Sequence, residues 1–278
     1  MNIMKYVLRY PRGLLRRILG LFSNLFWALR WNLGTAKSAN SIEAVGHLLI
    51  VKNADYVRVA RICISSFLYF NPNAIIHIHC DQVTYKKSQA MVRFLSRKNQ
   101  IRVDLDQSDR HEWQYSKLKL ILNLSGSYDF YMDADLKWNG SLPILESTTF
   151  FVREFILMSK IEYKELLEVM NLQELTSNTM KNTSFFSWNG CIASEKFRSK
   201  LFGFWSSMLE TIDEMAVSDL TKNSLRRISE QLCLSILIPE NESRYLKDAD
   251  AQFDGTFVES SYFGATGTRF GWFGVTHK

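Results

Sequence analysis

The chain has 278 residues, 46% of them hydrophobic and 13% aromatic, enough for a sizeable core and too apolar for a disordered chain. Charged residues make up 22%, the formal net charge is +6 and the isoelectric point is near 9.1. That balance points to anionic partners such as phosphates, nucleotides or acidic lipid. No nucleic-acid module is present and much of the basic excess lies in the first 37 residues, so nucleic acid is not expected as a partner.

From Met1 to Leu33 the sequence is rich in Leu, Phe and Trp and punctuated by Lys5, Arg9, Arg12, Arg16, Arg17 and Arg30. The longest uncharged stretch, Ile18 to Leu29, is too short and too polar to span a bilayer. Leu14, Leu15, Ile18, Leu19, Phe22, Leu25, Phe26 and Leu29 recur at helical spacing, with Arg12, Arg16, Gly20, Ser23 and Asn24 between them. This pattern predicts a basic amphipathic helix on an anionic membrane surface, with Trp27 and Trp31 at headgroup depth. The competing reading is a helix packed on the protein's own core or on a partner. A cleaved signal peptide is disfavoured, because arginines interrupt the apolar stretch. Residues 34–41 read as a linker, so residues 1–40 form the membrane-surface segment and 41–278 the main domain.

Strand and helix patterns then alternate. Strands are predicted at Gly46–Lys52, Ala74–Cys80, Ile101–Leu105 and Tyr128–Met132. Helices are predicted at Asp55–Phe70, Thr84–Lys98, Glu112–Leu124 and Ile228–Ile238. The expected fold is α/β: a mainly parallel, Rossmann-like sheet flanked by helices, with ligands at the carboxyl ends of the strands. His77 and His79 alternate on a strand and read as structural. Cys63, Cys80, Cys191 and Cys233 lie far apart in apolar stretches and read as buried free thiols, which suits a reducing compartment.

The fourth strand runs into Asp133-Ala134-Asp135. Two carboxylates at the open end of a buried strand are costly unless a cation compensates them. An oxygen-ligand site of this kind prefers Mg2+ or Mn2+, whose shell is shared with substrate phosphates. Such an ion would neutralise a leaving diphosphate. The alternative is a surface turn after the strand. A second Asp-x-Asp, Asp104-Leu105-Asp106, runs into a polar stretch and reads as a strand-end loop.

With these motifs in order, the region from about Gly46 to His277 resembles the GT-A glycosyltransferases, in the motif order of the glycogenin and lipopolysaccharide galactosyltransferase family. Tyr115-Ser116-Lys117-Leu118 resembles that family's Tyr-x-Arg/Lys-Leu segment, which implies that Lys117 reaches the donor's diphosphate or sugar. FYMDAD resembles its hydrophobic-Asp-x-Asp motif, which implies metal on Asp135 and metal, ribose or sugar on Asp133. Phe186-Ser187-Trp188-Asn189-Gly190-Cys191 is similar to its Phe-Asn-x-Gly-Val segment, placing Asn189 and Gly190 against the donor sugar. Ser229-Glu230-Gln231 is similar to its Asp-Gln pair near the anomeric carbon, and His277 to its late metal-binding histidine. The family's Gly-x-x-Lys-Pro-Trp segment after that histidine has no counterpart here. Glu230 would be a general base if transfer inverts the anomeric carbon. It or Gln231 would stabilise an oxocarbenium-like species if transfer retains it. The bland reading makes Glu230 a helix N-terminal acid capped by Ser229.

The resemblance implies an enzyme that moves a sugar from a nucleotide diphosphate donor, in the first place UDP, to a glycan or glycolipid acceptor. It would work at the inner face of the cell membrane in surface polysaccharide or lipopolysaccharide synthesis. The rivals are a membrane adaptor with a degenerate transferase domain, and a sugar nucleotidyltransferase. The latter's glycine-rich loop should follow the first strand, whereas Gly267-Thr268-Arg269-Phe270 lies late in the chain.

Overall fold

The computed structural model describes residues 26, 29–37, 39, 41–51, 55–105, 113–125, 128–134, 136–138, 140–143, 145, 147–150, 161–173, 180–188, 195–246 and 258–260. The strands are β1 (Val45–Ile50), β2 (Ile75–Cys80), β3 (Ile101–Leu105), β4 (Asp129–Met132), β5 (Leu136–Trp138), β6 (Thr148–Phe150), β7 (Phe185–Ser187), β8 (Ser243–Tyr245) and β9 (Val258–Ser260). The helices are α1 (Asp55–Phe70), α2 (Gln82–Arg93), α3 (Trp113–Asn123), α4 (Ile161–Val169), α5 (Glu195–Glu214) and α6 (Asp219–Leu237).

Among the described residues, seven strands form one sheet in the order β3-β2-β1-β4-β7-β6-β8, while β5 and β9 make an antiparallel pair. The expectation of an α/β fold with a mainly parallel sheet holds. β3, β2, β1 and β4 run parallel, and β7 enters antiparallel between β4 and β6. Even-numbered side chains of β1 and β2 (Leu48, Ile50, Ile76, Ile78) pack in a core with Ala60, Ile64 and Phe67 of α1 and Met91 of α2. On the odd-numbered face, Leu49 and Tyr131 join Leu118 and Ile121 of α3, Trp205 of α5 and Leu232 of α6. The strict alternation across each strand thus sorts the helices onto two faces.

Local chemistry sets the element ends. Asp81 caps α2, its Oδ1 accepting from the Thr84 N–H at 2.9 Å and the Thr84 hydroxyl at 2.7 Å. α2 stops at Arg93, short of the predicted Lys98, because Phe94 and Leu95 close the last turn with N–H bonds to Met91 and Val92. α1 ends where Asn71-Pro72 follows, and the Asn71 amide returns to the Phe67 carbonyl at 2.9 Å. Gly46 is required by close approach: a Cβ there would meet Phe130 at 2.9 Å and Ile76 at 3.0 Å. α4 and α5 were not anticipated from the sequence, although Leu201, Trp205, Met208 and Ile212 of α5 are buried at helical spacing.

Ahead of β1, residues 29–33 are helical. Most of the predicted amphipathic helix lies outside the described residues, but one expectation for its end is corrected. Trp31 is not a headgroup anchor: it is 6% exposed and packs with Tyr69 and Ala36. Arg97 fixes this segment by donating to the Gly34 carbonyl at 2.7 Å and to the Leu68 carbonyl and Thr35 hydroxyl. Cys63, Cys80 and Cys233 are buried free thiols, as read from the sequence; Cys191 lies outside the described residues.

Candidate active site

Chain order places β2 and β3 on one side of β1 and β4 on the other, so the direction of winding reverses between β1 and β4. In open α/β sheets such a switch point opens a crevice at the carboxyl ends of the strands. β4 ends at Met132, and Asp133 is the next residue, at the carboxyl end of the strand beside that switch point.

Asp133 is held from several directions. Its N–H donates to the Ser184 carbonyl at 2.7 Å, so the segment entering β7 fixes its backbone. The Tyr131 hydroxyl donates to Asp133 Oδ1 at 2.6 Å. Lys117 Nζ lies 3.3 Å from the same oxygen and 3.2 Å from Glu230 Oε1. It also sits 5.0 Å from the centre of the Tyr131 ring. Glu230 Oε1 additionally accepts from the Thr183 hydroxyl at 3.2 Å. Three residues singled out in the sequence, Lys117 on α3, Asp133 after β4 and Glu230 on α6, therefore meet in one cluster.

Their exposures differ in a useful way. The side chains of Lys117 and Glu230 are 4% and 2% exposed, whereas that of Asp133 is 26% exposed. Burial alone would lower the Lys117 pKa, but Asp133 and then Glu230 overcome it and raise the pKa above the ordinary lysine value. One ammonium between two carboxylates leaves the cluster one negative charge in excess. Glu230 Oε2 is buried with no hydrogen-bond partner among the described residues. A carboxylate oxygen left so is costly unless a donor or cation approaches it.

The bland reading of Glu230 is corrected. α6 begins at Asp219 and its cap is Ser218, whose hydroxyl accepts from the Thr221 N–H at 3.2 Å. Glu230 is thus deep within the helix, and Ser229 is a buried partner of Trp205 Nε1 at 2.8 Å, not a cap. Gln231 is half-buried beside it. Asp135, Asn189, Gly190 and His277 lie outside the described residues. Among the described residues no group of three or more His, Cys, Asp and Glu is arranged to hold a metal. Asp133 nonetheless fits a hard divalent cation as one donor: a partly exposed carboxylate at the carboxyl end of β4, oriented by Tyr131 and set beside a second carboxylate that shares its one ammonium.

Two members of the site went unread in the sequence, Tyr131 and Thr183. Tyr131 is two residues before Asp133, the period that puts both on one face of an extended strand, and this was its one legible signal. Thr183 comes to Glu230 only through the antiparallel insertion of β7. The histidines form a second polar group on the same sheet face. His47 Nδ1 lies 2.9 Å from His79 Nε2, and His47 Nε2 lies 2.8 Å from Asp129 Oδ1. The His77 ring lies 5.1 Å from that of His47. Asp104 pairs in register with His79 on β3; the second Asp-x-Asp is thus an ordinary strand residue at its first position, and Asp106 lies outside the described residues.

No protein-family model matches the chain, and no curated protein matches it. Solved structures similar to it are glycosyltransferases. The apo form of glycosyltransferase GlyE from Streptococcus pneumoniae TIGR4 aligns over 75% of this chain and 46% of its own, at 12% identity and a TM-score of 0.46. This chain therefore spans just under half the length of that structure. The galactosyltransferase LgtC, in complex with donor and acceptor sugar analogues, aligns over 73% of both chains at 14% identity and a TM-score of 0.47. Mouse xyloside xylosyltransferase 1 aligns over 74% of this chain and 85% of its own, at 12% identity and a TM-score of 0.42. At these levels each is a similarity of outline, and the chemistry of the cluster is read from its own residues.

Proposed function

We propose that this chain is a GT-A glycosyltransferase that moves a sugar from a nucleotide diphosphate, in the first place UDP, to a membrane-linked glycan acceptor in surface polysaccharide or lipopolysaccharide synthesis. The observation that carries the reading is the buried contact of Lys117 with both Asp133 and Glu230 at the switch point of the sheet. Motifs far apart in sequence, each expected to meet the donor, converge where an α/β sheet binds phosphates.

In this reading Asp133, Asp135 and His277 hold Mn2+ or Mg2+, which supplies positive charge to the leaving diphosphate. Lys117 adds a fixed ammonium beside it, and Asn189 and Gly190 lie against the donor sugar. The burial of Glu230 and its bond to Lys117 favour a role in positioning that ammonium over transfer of a proton to or from the acceptor. Gln231, less buried, faces the anomeric centre. Residues 1–33 hold the enzyme on the anionic inner face of the cell membrane, where a lipid-linked acceptor is presented.

The test is release of UDP from a panel of UDP-sugars with Mn2+, comparing the native chain with Asp133→Asn and Asp135→Ala. Hydrolysis of one donor, lost in both variants and on chelation, supports the transferase and names its sugar. Absence of both hydrolysis and metal-dependent UDP binding would overturn it. Release of pyrophosphate in place of UDP would point to a nucleotidyltransferase.

A further inference from the structure

A second surface, on α2 beside the edge strand β3, has a chemistry of its own. From Gln82 to Gln100 the chain carries Lys86, Lys87, Arg93, Arg97 and Lys98 and no Asp or Glu. α2 turns Thr84, Ser88, Met91 and Val92 inward. Its outer face is a stripe of exposed Val83, Lys87, Ala90 and Phe94, flanked by exposed Lys86 and Arg93. Val83 and Phe94 are 64% and 71% exposed, large apolar side chains set among cations. Among the described residues, no carboxylate pairs with Lys86, Lys87, Arg93 or Lys98.

This stripe is continuous with the end of the N-terminal helix. The Asn32 amide donates to the Phe94 carbonyl at 3.1 Å, and its Oδ1 accepts from the Ser96 N–H at 2.8 Å. Beside that junction Leu33 is 76% exposed, and Leu29 and Phe26 follow it at helical spacing, at 49% and 61%. Trp31, on the other side of the helix, is buried against Tyr69, which fixes the direction in which the apolar face points.

We propose that α2, Phe26 and residues 29–33 together form one docking face for an anionic lipid bilayer. The cations meet lipid phosphates, and Phe26, Leu29, Leu33 and Phe94 enter the headgroup region. Charge selects this occupant over a second copy of the chain, whose identical basic face would repel it. The sequence ahead of residue 26 continues the same mixture of arginine and apolar residues. α2 runs from the carboxyl edge of the sheet, after β2, to the amino edge, before β3. A bilayer along this helix therefore flanks the domain and leaves the crevice at Asp133 open at one end. The purpose of such docking rests on the function proposed above, whereas the surface itself rests only on its own residues.

The experiment is co-sedimentation of the full chain with phosphatidylcholine vesicles, with and without phosphatidylglycerol, alongside UDP binding measured without vesicles. The native chain is expected to bind the phosphatidylglycerol vesicles and not the neutral ones. The triple variant K86Q/K87Q/R93Q should weaken that binding on the order of a hundredfold, given the contribution of each cation near an acidic surface. Phe94→Ser removes no charge and tests the apolar half; it should also weaken binding, and a matching melting temperature shows that either variant is folded. Unchanged vesicle binding in both variants would overturn the proposal and confine attachment to residues 1–25. Loss of binding to duplex DNA with vesicle binding retained would overturn it in favour of a nucleic-acid surface. UDP binding that survives in the variants separates the two readings, since it reports on the crevice alone.

Discussion

At the scale of single residues, the cluster at Lys117 is the part of the molecule most exposed to test. A buried ammonium shared by two carboxylates contributes little net stability while intact, but removing one partner leaves uncompensated charge in the core. Lys117→Ala should therefore cost about 3–5 kcal/mol in a denaturant titration. Pairing it with Glu230→Gln should recover part of that loss, and strictly additive effects would show that the two do not interact. Because Lys117 is raised above its ordinary pKa, its share of stability is complete at neutral pH and is lost only as pH rises through the raised value. His77 behaves in the opposite sense. Burial and then the neighbouring His47 lower the His77 pKa, outweighing Asp104 and Asp129, with Arg102 also lowering it. Asp129 is lowered as well: burial pushes it up, but hydrogen bonds from His47 and Ser125 more than reverse this. Below about pH 6.5 the unfolded chain takes up a proton that folded His77 resists, and near pH 4 the same follows for Asp129. Melting temperature should fall on acidification from pH 7, more steeply in the native chain than in His77→Gln. A flat profile between pH 7 and 5 would contradict this.

At the scale of elements, periodicity and punctuation did most of the work. Asp55–Phe70 and Ile101–Leu105 were legible to the residue, because Asn71-Pro72 stops the one and a short branched run defines the other. Lys117, Asp133 and Glu230 were legible because each sits on a recognisable element at a sequence signal. What the sequence did not show was geometry between elements. α6 begins nine residues before the predicted start, at Asp219 rather than Ile228, because Ser218 caps it ahead of the apolar spacing that marks Ile228–Ile238. The entry of β7 antiparallel beside β4 has no local signature, so Thr183 and Ser184 could not be placed at the site. Gly46 illustrates the same point, as nothing in GHLLIVK shows that Phe130 and Ile76 press on its Cα from two neighbouring strands. Gly46→Ala should destabilise the domain by about 1–3 kcal/mol through overpacking. A neutral effect would mean that β1 and β4 separate more easily than their register implies.

At the scale of the whole molecule, the segment ahead of β1 is tied to the domain by few but specific bonds. Arg97 reaches the carbonyls of Leu68 and Gly34 and the hydroxyl of Thr35, and burial lowers its pKa. Arg97→Ala should leave the seven-stranded sheet folded while freeing residues 34–37, seen as faster amide exchange there with little change in the rest. If exchange instead rises throughout, the segment is part of the cooperative unit.

The separation of Lys117 from Glu230 along the chain has a kinetic consequence. β1 to β4 and their helices can collapse locally and bring Lys117 to Asp133, but Lys117 then still lacks its α6 partner, Glu230. The crevice is accordingly completed among the last steps of folding, when α6 closes over α3. A nascent chain that has not yet delivered residue 230 would hold most of its parallel sheet with the Lys117 cluster incomplete, so closure of that cluster marks the finished molecule.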